Sequence, residues 1–163
     1  MDTQQQNQQP VFDTARFKQL YKKFDQETIR NLPDIYSPQI NFKDPIHQLR
    51  GIPELSRYFA GFCSDELRCE FDIHNEVVSH DQAFFQWKMR YQHPNLASGK
   101  PLTLDGGTLI KFDSHITYHE DFYDMGAMIY QHVPVLGWAV KKVNARVAQQ
   151  VGEADNSHGQ HHE

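Results

Sequence analysis

The chain has 163 residues, 39% of them hydrophobic and 23% charged, a composition that excludes a disordered chain and fits one domain. Its formal charge of -5 and the lack of a lysine and arginine cluster argue against nucleic acid, whose binding draws on a basic face to displace counterions. No apolar run approaches the roughly 20 residues of a membrane-spanning helix, and Met1 to Pro10 is Gln-rich with no apolar signal core, so a cytoplasmic protein without a membrane partner is expected.

Residues 1–11 read as a disordered leader and 152–163 as a disordered tail with three histidines, leaving 12–151 as the folded part, its C-terminal end a helical extension. Asp13 is a good N-cap, and Phe12 and Phe17 are spaced for a hydrophobic staple. Phe17, Leu20, Tyr21 and Phe24 then repeat on one helical face. A short second helix is predicted over Glu27–Leu32, ended by Pro33, and an extended piece over Gln39–Lys43. Asp44-Pro45 is a turn, and a third helix opens at Pro53 with the stripe Leu55, Tyr58, Phe59 and Phe62. Strands follow over 69–78 and 84–93, both with period-2 alternation, then over 101–112 and, after a turn at Asp113-Ser114, over 116–123. Gly106-Gly107 inside the third of these predicts a bulge or sharp bend. A short helix with Met125, Met128, Ile129 and His132 on one side comes next, then a last helix carrying Trp138, Val140, Val143 and Val147. Helices first and an antiparallel meander after them make the fold class α+β.

Cys63 and Cys69 do not form a disulfide framework in a chain this long and read as thiols. His93 and His119 lack the spacing of zinc ligands, and Gly106-Gly107 lacks the helix and lysine of a phosphate loop, so neither a metal nor a cofactor is expected. Trp87, Met89 and Tyr91 share one strand face, a stripe that suits core packing and a pocket wall alike.

Phe42-Lys43-Asp44-Pro45 followed by Gly51 and the helix at Pro53, the run Gly106–Asp113, and Ile116 through Asp121-Phe122-Tyr123-Asp124 resemble the nuclear-transport-factor-2-like superfamily, and within it the SnoaL-like proteins, over roughly residues 12–124. Residues 124–137 are also similar to a subgroup of small uncharacterised bacterial proteins, which brings no activity with it. The resemblance implies a cone-shaped α+β barrel, with N-terminal helices packed on a strongly curved antiparallel or mixed sheet around a small-molecule pocket. Superfamily members include ketosteroid isomerases, epoxide hydrolases, polyketide cyclases, dehydratases and non-catalytic binding modules, so the fold leaves the function open.

The resemblance also suggests roles. Asp44 stands where an isomerase-like protein has its proton-abstracting carboxylate, at the pocket mouth, with His47 in reach of it. Desolvation there raises a carboxylate pKa; an Asp before Pro is equally a common turn former. Asp121, deeper, matches the first carboxylate of an epoxide-hydrolase-like run, but the other members of that triad are replaced by Trp87, Met89 and Tyr91. A buried structural carboxylate is the equal alternative for Asp121. Tyr21 fits the tyrosine of an isomerase oxyanion hole, whereas Thr108 occupies its acid position. For strand 116–124, hydrophobicity alone turns Ile116, Tyr118 and Phe122 inward; the resemblance turns His119, Asp121 and Tyr123 inward and is followed here. The expected catalytic set is Asp44, His47, Asp121 and His119. The expected lining for a small hydrophobic organic ligand is Tyr21, Tyr36, Tyr58, Trp87, Met89, Tyr91, Thr108 and Tyr123. Isomerase, lyase or cyclase chemistry with an aspartate base, ligand binding without chemistry, and a dimeric interaction module all remain open. A homodimer is expected, because apolar residues lie on both phases of the last strand.

Overall fold

A computed structural model describes residues 12–22, 25–62, 68–94, 97–132 and 137–146. Phe24, Cys63, Val147 and the leader and tail lie outside the described residues. The chain divides into two units, ending and beginning at Asp124 and Met125.

In the first unit, Asp13 opens α1 (Thr14–Lys22) by accepting the Ala15 N–H at 2.9 Å, one of the donors a helix start leaves unpaired. Phe17, Leu20 and Tyr21 form its buried face. Helix α2 (Gln26–Arg30) begins earlier than hydrophobicity suggested, because Asp25 and Thr28 cap it reciprocally. Pro33 then sits in a 3₁₀ turn, Leu32–Asp34.

Strand β1 (Tyr36–Lys43) is irregular between Tyr36 and Asn41, then alternates with Ile40 and Phe42 buried. The same alternation carries the next inward position, Asp44, into the interior. A four-residue turn, Asp44 to His47, leads to β2 (Gln48–Arg50), a strand too short for periodicity to reveal. Gly51 has a φ of +85°, the left-handed conformation that glycine adopts without penalty, and its N–H bonds Ile40 O at 2.8 Å. That turn aims α3 (Ile52–Phe62) back over β1, where Leu55 and Phe59 are buried.

Strands β3 (Arg68–Val78), β4 (Gln82–Gln92), β5 (Leu102–Phe112) and β6 (Ile116–Tyr123) form the meander. The curved, open six-stranded sheet has the order β2-β1-β6-β5-β4-β3. All neighbours are antiparallel except β1 and β6, which are parallel. The core fills the inner face: Phe17 stacks on Phe85 at 4.8 Å between centroids, and Phe42 meets Phe59 at 5.7 Å.

Two strand details differ from simple periodicity. In β3 the register shifts between Ile73 and Asn75, so Phe71 and Ile73 face the core but Val77 pairs with Phe84 on the outer face. In β5 the ladder runs unbroken through Gly106 and Gly107 on both sides, so no bulge lies there. A Cβ at Gly106 would overlap the Trp87 indole, and one at Gly107 the Phe84 ring. The glycines make room for two aromatic rings, one on each face of the sheet.

The second unit contains α4 (Met125–Met128), a 3₁₀ turn Tyr130–His132 and a helix over 137–146, in which Lys142 Nζ lies 4.7 Å from the ring centre of the exposed Trp138. Among the described residues no helix is long and apolar enough to cross a membrane.

Replacing Gly106 by Ala pushes a methyl group into the indole. The expected cost is about 1–3 kcal/mol, typical of overpacking, read as a lower urea midpoint with altered tryptophan emission; an unchanged midpoint would show that the ring is not pinned there.

Candidate functional site

The polar groups of this interior site come from α1, β1 and the turn after it, α3, β4, β5 and β6, and centre on two histidine–carboxylate pairs. The first is at the end of β1. Asp44 has no exposed side-chain surface. Its Oδ1 accepts the Ile46 N–H at 2.7 Å and the His47 N–H at 2.5 Å, which makes the Asp-Pro turn. Its Oδ2 accepts the hydroxyl of Tyr58, from α3, in a short bond, and that of Tyr123, from β6, at 3.3 Å. His47 Nδ1 lies 3.1 Å from both oxygens. The imidazole packs against Tyr58 with centroids 4.9 Å apart and leaves 42% of its side chain exposed.

Burial pushes the Asp44 carboxyl upward, but bonds from Tyr58, the two turn amides and His47 outweigh it and hold the pKa below the ordinary 3.8. Desolvation alone, the sequence-level argument, has the opposite sign. The donors come from backbone and from α3, which spacing along the chain does not reveal. Asp44 is therefore a fixed anion. Tyr58 and Tyr123 are held well above the usual tyrosine pKa, first by burial and then by the bond to Asp44 and the charges of Asp44 and Asp121.

The second pair is on β6. Strand β6 turns His119, Asp121 and Tyr123 to the interior; Tyr118 and Glu120 take the outer face, where Lys43 Nζ bonds Glu120 at 2.6 Å. His119 has no exposed side-chain surface and is enclosed by Phe42, Phe17, Tyr21 and Tyr36. Its Nε2 is 2.9 Å from Asp121 Oδ1 and 3.3 Å from the Tyr21 hydroxyl, and its Nδ1 is 2.9 Å from the Tyr36 hydroxyl. A carboxylate only accepts, so Nε2 is the ring nitrogen that donates to Asp121, and Nδ1 is left facing the Tyr36 hydroxyl. Burial first raises both Tyr21 and Tyr36; Tyr36 and then the charge of Asp121 add to it for Tyr21, and Asp121 adds to it for Tyr36, so both stay protonated.

Register explains the rest. Thr108 lies directly across from Asp121 and donates to its Oδ1 at 2.5 Å, while accepting the Trp87 Nε1–H at 2.8 Å. Trp87 reaches Thr108 because its ring lies across the bare Gly106. Both hydrogen bonds to Asp121 fall on Oδ1; Oδ2 takes neither, and 16% of the side chain is exposed.

Tyr58 and Tyr123 feel both carboxylates, which places Asp44 and Asp121 in one electrostatic neighbourhood. Asp44 is the more enclosed of the two carboxylates. Of the expected lining, Tyr21, Tyr36, Tyr58, Thr108 and Tyr123 touch one pair or the other, and Trp87 reaches the second through Thr108. Met89 and Tyr91 are buried further along β4, opposite Leu104, Leu102, Phe71 and Cys69. Sequence reasoning missed Phe17 and Phe42 as walls of the His119 cage; only the parallel pairing that puts Phe42 beside His119 reveals the second.

The lowered Asp44 pKa has a defined consequence. An aspartate with a depressed folded pKa contributes stability that is fully present above its unfolded value and is lost as pH falls through the folded one. Tyr58→Phe removes the strongest bond to the anion. Stability at neutral pH is expected to drop by about 1.5–3 kcal/mol, and the acid-limb loss that belongs to Asp44 to become smaller than in the parent, because its onset stays at the unfolded value while the folded value rises towards it. Urea unfolding at a series of pH values from neutral down to about 3, below the unfolded aspartate value, checks both.

The family model described as the SnoaL-like domain matches residues 17–119. No curated protein matches the sequence. Solved structures share the fold. A nuclear-transport-factor-2-like protein of unknown function from Exiguobacterium sp. 255-15 is 19% identical with a TM-score of 0.56, over 68% of this chain and 97% of that one. A provisionally assigned SnoaL-like polyketide cyclase from Jannaschia sp. CCS1 is 16% identical with a TM-score of 0.60, over 76% and 94%. A protein from Catenulispora acidiphila with a ketosteroid-isomerase-like fold, in complex with trimethylamine, is 13% identical with a TM-score of 0.61, over 73% and 90%. Helices on the inner face of an open sheet, the parallel β1–β6 pair and these likenesses fit the cone-shaped α+β fold, and the chain belongs to the SnoaL-like domain family.

Proposed function

We propose that this protein binds a small hydrophobic organic molecule beside the two carboxylates and moves a proton on it, with Asp121 as the general base, in isomerase, lyase or cyclase chemistry. One observation carries the reading. Asp121 is anchored through Oδ1 alone, by Thr108 and His119, and Oδ2 takes neither of those bonds. Around it stand tyrosines that burial keeps protonated. Proton transfer needs an acceptor and a donor held close together, and a carboxylate oxygen among such phenols supplies both. Tyr123 has the longer bond to Asp44, and its hydroxyl is the one best free to turn towards a substrate oxygen. The polyketide-cyclase assignment of a structural neighbour supports an enolisable carbonyl compound as the substrate class.

The test is hydrogen exchange. The protein is incubated in D2O with a panel of enolisable ketones and β-dicarbonyls, and deuterium incorporation is read by mass spectrometry. The parent chain is expected to catalyse exchange on at least one compound, and Asp121→Asn to lower the rate by about 10²–10⁴-fold while circular dichroism shows a retained fold. If no compound exchanges faster with the parent than with the variant, ligand binding without chemistry replaces this reading.

A homodimer is proposed on a separate observation. The outer sheet face exposes Val77 at 68%, Phe122 at 46% and Phe84 at 37%, with Phe84 lying over Gly107. A run of apolar groups across neighbouring strands suits a partner surface. Sedimentation at micromolar concentration is expected to give a dimer, and Phe122→Glu to shift it towards monomer with the fold intact; a parent chain that stays monomeric removes the proposal.

A further inference from the structure

The two histidine–carboxylate pairs are built from the same groups in opposite order. In the β6 pair the histidine is fully enclosed and the carboxylate is the partly exposed member, 0% against 16%. In the β1 pair the carboxylate is fully enclosed and the histidine is the exposed member, 0% against 42%. Each pair therefore presents a different chemical group, a carboxylate from one and an imidazole from the other. Tyr58 and Tyr123, which bond to the first carboxylate, also feel the second.

The orientation of His47 follows from its partner. Nδ1 sits at equal distance from both oxygens of Asp44, 3.1 Å each. Asp44 is an anion fixed by the turn amides and Tyr58, so it accepts only, and Nδ1 is the nitrogen that carries the proton. Nε2, across the ring and away from Asp44, is then the atom that exchanges a proton with solvent or a ligand. A carboxylate that selects the tautomer of an exposed imidazole makes it an acid–base group with a defined working nitrogen.

We propose that His47 is the second catalytic residue of this site, a general acid whose Nε2–H protonates the carbonyl oxygen of the substrate, and that Asp44 is its positioning residue. The proposal rests on the reading of Asp121 as base. In the step, Asp121 Oδ2 takes the proton from the carbon next to the carbonyl. The C–H electron pair becomes the C=C bond of the enol, the carbonyl π pair forms an O–H bond with the proton from His47 Nε2, and the ring is left neutral with Nδ1–H on Asp44. Protonated Asp121 then exchanges its proton with solvent, and in the reverse step it returns a solvent-derived proton to carbon while C=O re-forms and the enol O–H proton goes back to His47 Nε2. An aspartate at the isomerase-like position thus acts through a histidine and does not touch the substrate.

Two measurements on the full chain test this. Long-range proton–nitrogen correlation spectra of the ¹⁵N-labelled parent, at about pH 9, well above the ordinary histidine range, are expected to show His47 with its proton on Nδ1 and a bare Nε2. A ring protonated on Nε2 overturns the inference whatever the activity. In the D2O assay, His47→Gln keeps an amide N–H for Asp44 but carries no transferable proton. Exchange is expected to fall about 10²-fold, with partial recovery on adding free imidazole. If the parent chain exchanges a compound and His47→Gln exchanges it equally fast, His47 is not the acid, and the reading of Asp121 stands alone. If the parent chain exchanges nothing, the reading of Asp121 falls and this inference falls with it.

Discussion

A carboxylate enclosed at the end of β1 is the constraint on which the interior depends. An ionised group removed from water is tolerated only when each oxygen is given strong donors. For Asp44 these come from the turn that follows it, from Tyr58 on α3 and from Tyr123 on β6. Three separate parts of the chain are thereby tied to one group. The turn has to place two amides on Oδ1, which fixes the start of β2; Gly51 then has to reverse the chain so that α3 returns Tyr58 to Oδ2. The parallel pairing of β1 with β6 brings Tyr123 to the same oxygen.

The second carboxylate is held by a different device. Asp121 receives no backbone amide among its described bonds. Its anchor is a relay of side chains along the sheet, Trp87 to Thr108 to Asp121, with His119 on the same oxygen. The relay depends on a missing Cβ: a side chain at 106 would lift the indole off β5 and take its N–H away from Thr108. Thr108 serves as acceptor and donor at once, a role that a hydroxyl fills and an apolar isostere does not. Thus a glycine with no polar atom in the site helps to determine which oxygen of Asp121 is committed.

The likenesses to solved structures lie below 20% identity and establish the fold, whereas chemistry belongs to the particular side chains grafted on it. Here those side chains give both carboxylates a histidine, one behind and one in front. The position that a family-level comparison nominates for the base, Asp44, is enclosed and saturated with donors; the partly exposed groups are Asp121 and His47.

Much of this was legible in the sequence, because its signals are local. Alternation along 69–78 and 84–93 and the turn formers that bound 101–112 and 116–123 mark the meander, Asp13 and Pro53 mark helix starts, and the Phe42–Pro45 and Gly106–Asp113 runs mark the family. The residues of the site were also nameable, since carboxylates, histidines and tyrosines are few on strand faces that otherwise read as apolar. What the sequence could not determine is everything that depends on register or on a partner distant in the chain. The shift between Ile73 and Asn75 turns Val77 outward against its period, and the pairing of 106 and 107 with β4 makes those glycines seats for aromatic rings in an unbroken ladder. The sign of the Asp44 pKa shift belongs to the same class. Burial, which residue type and surroundings suggest, raises it; the Tyr58 hydroxyl, 14 residues away, and the turn that follows lower it, and only the folded arrangement brings Tyr58 to the carboxylate.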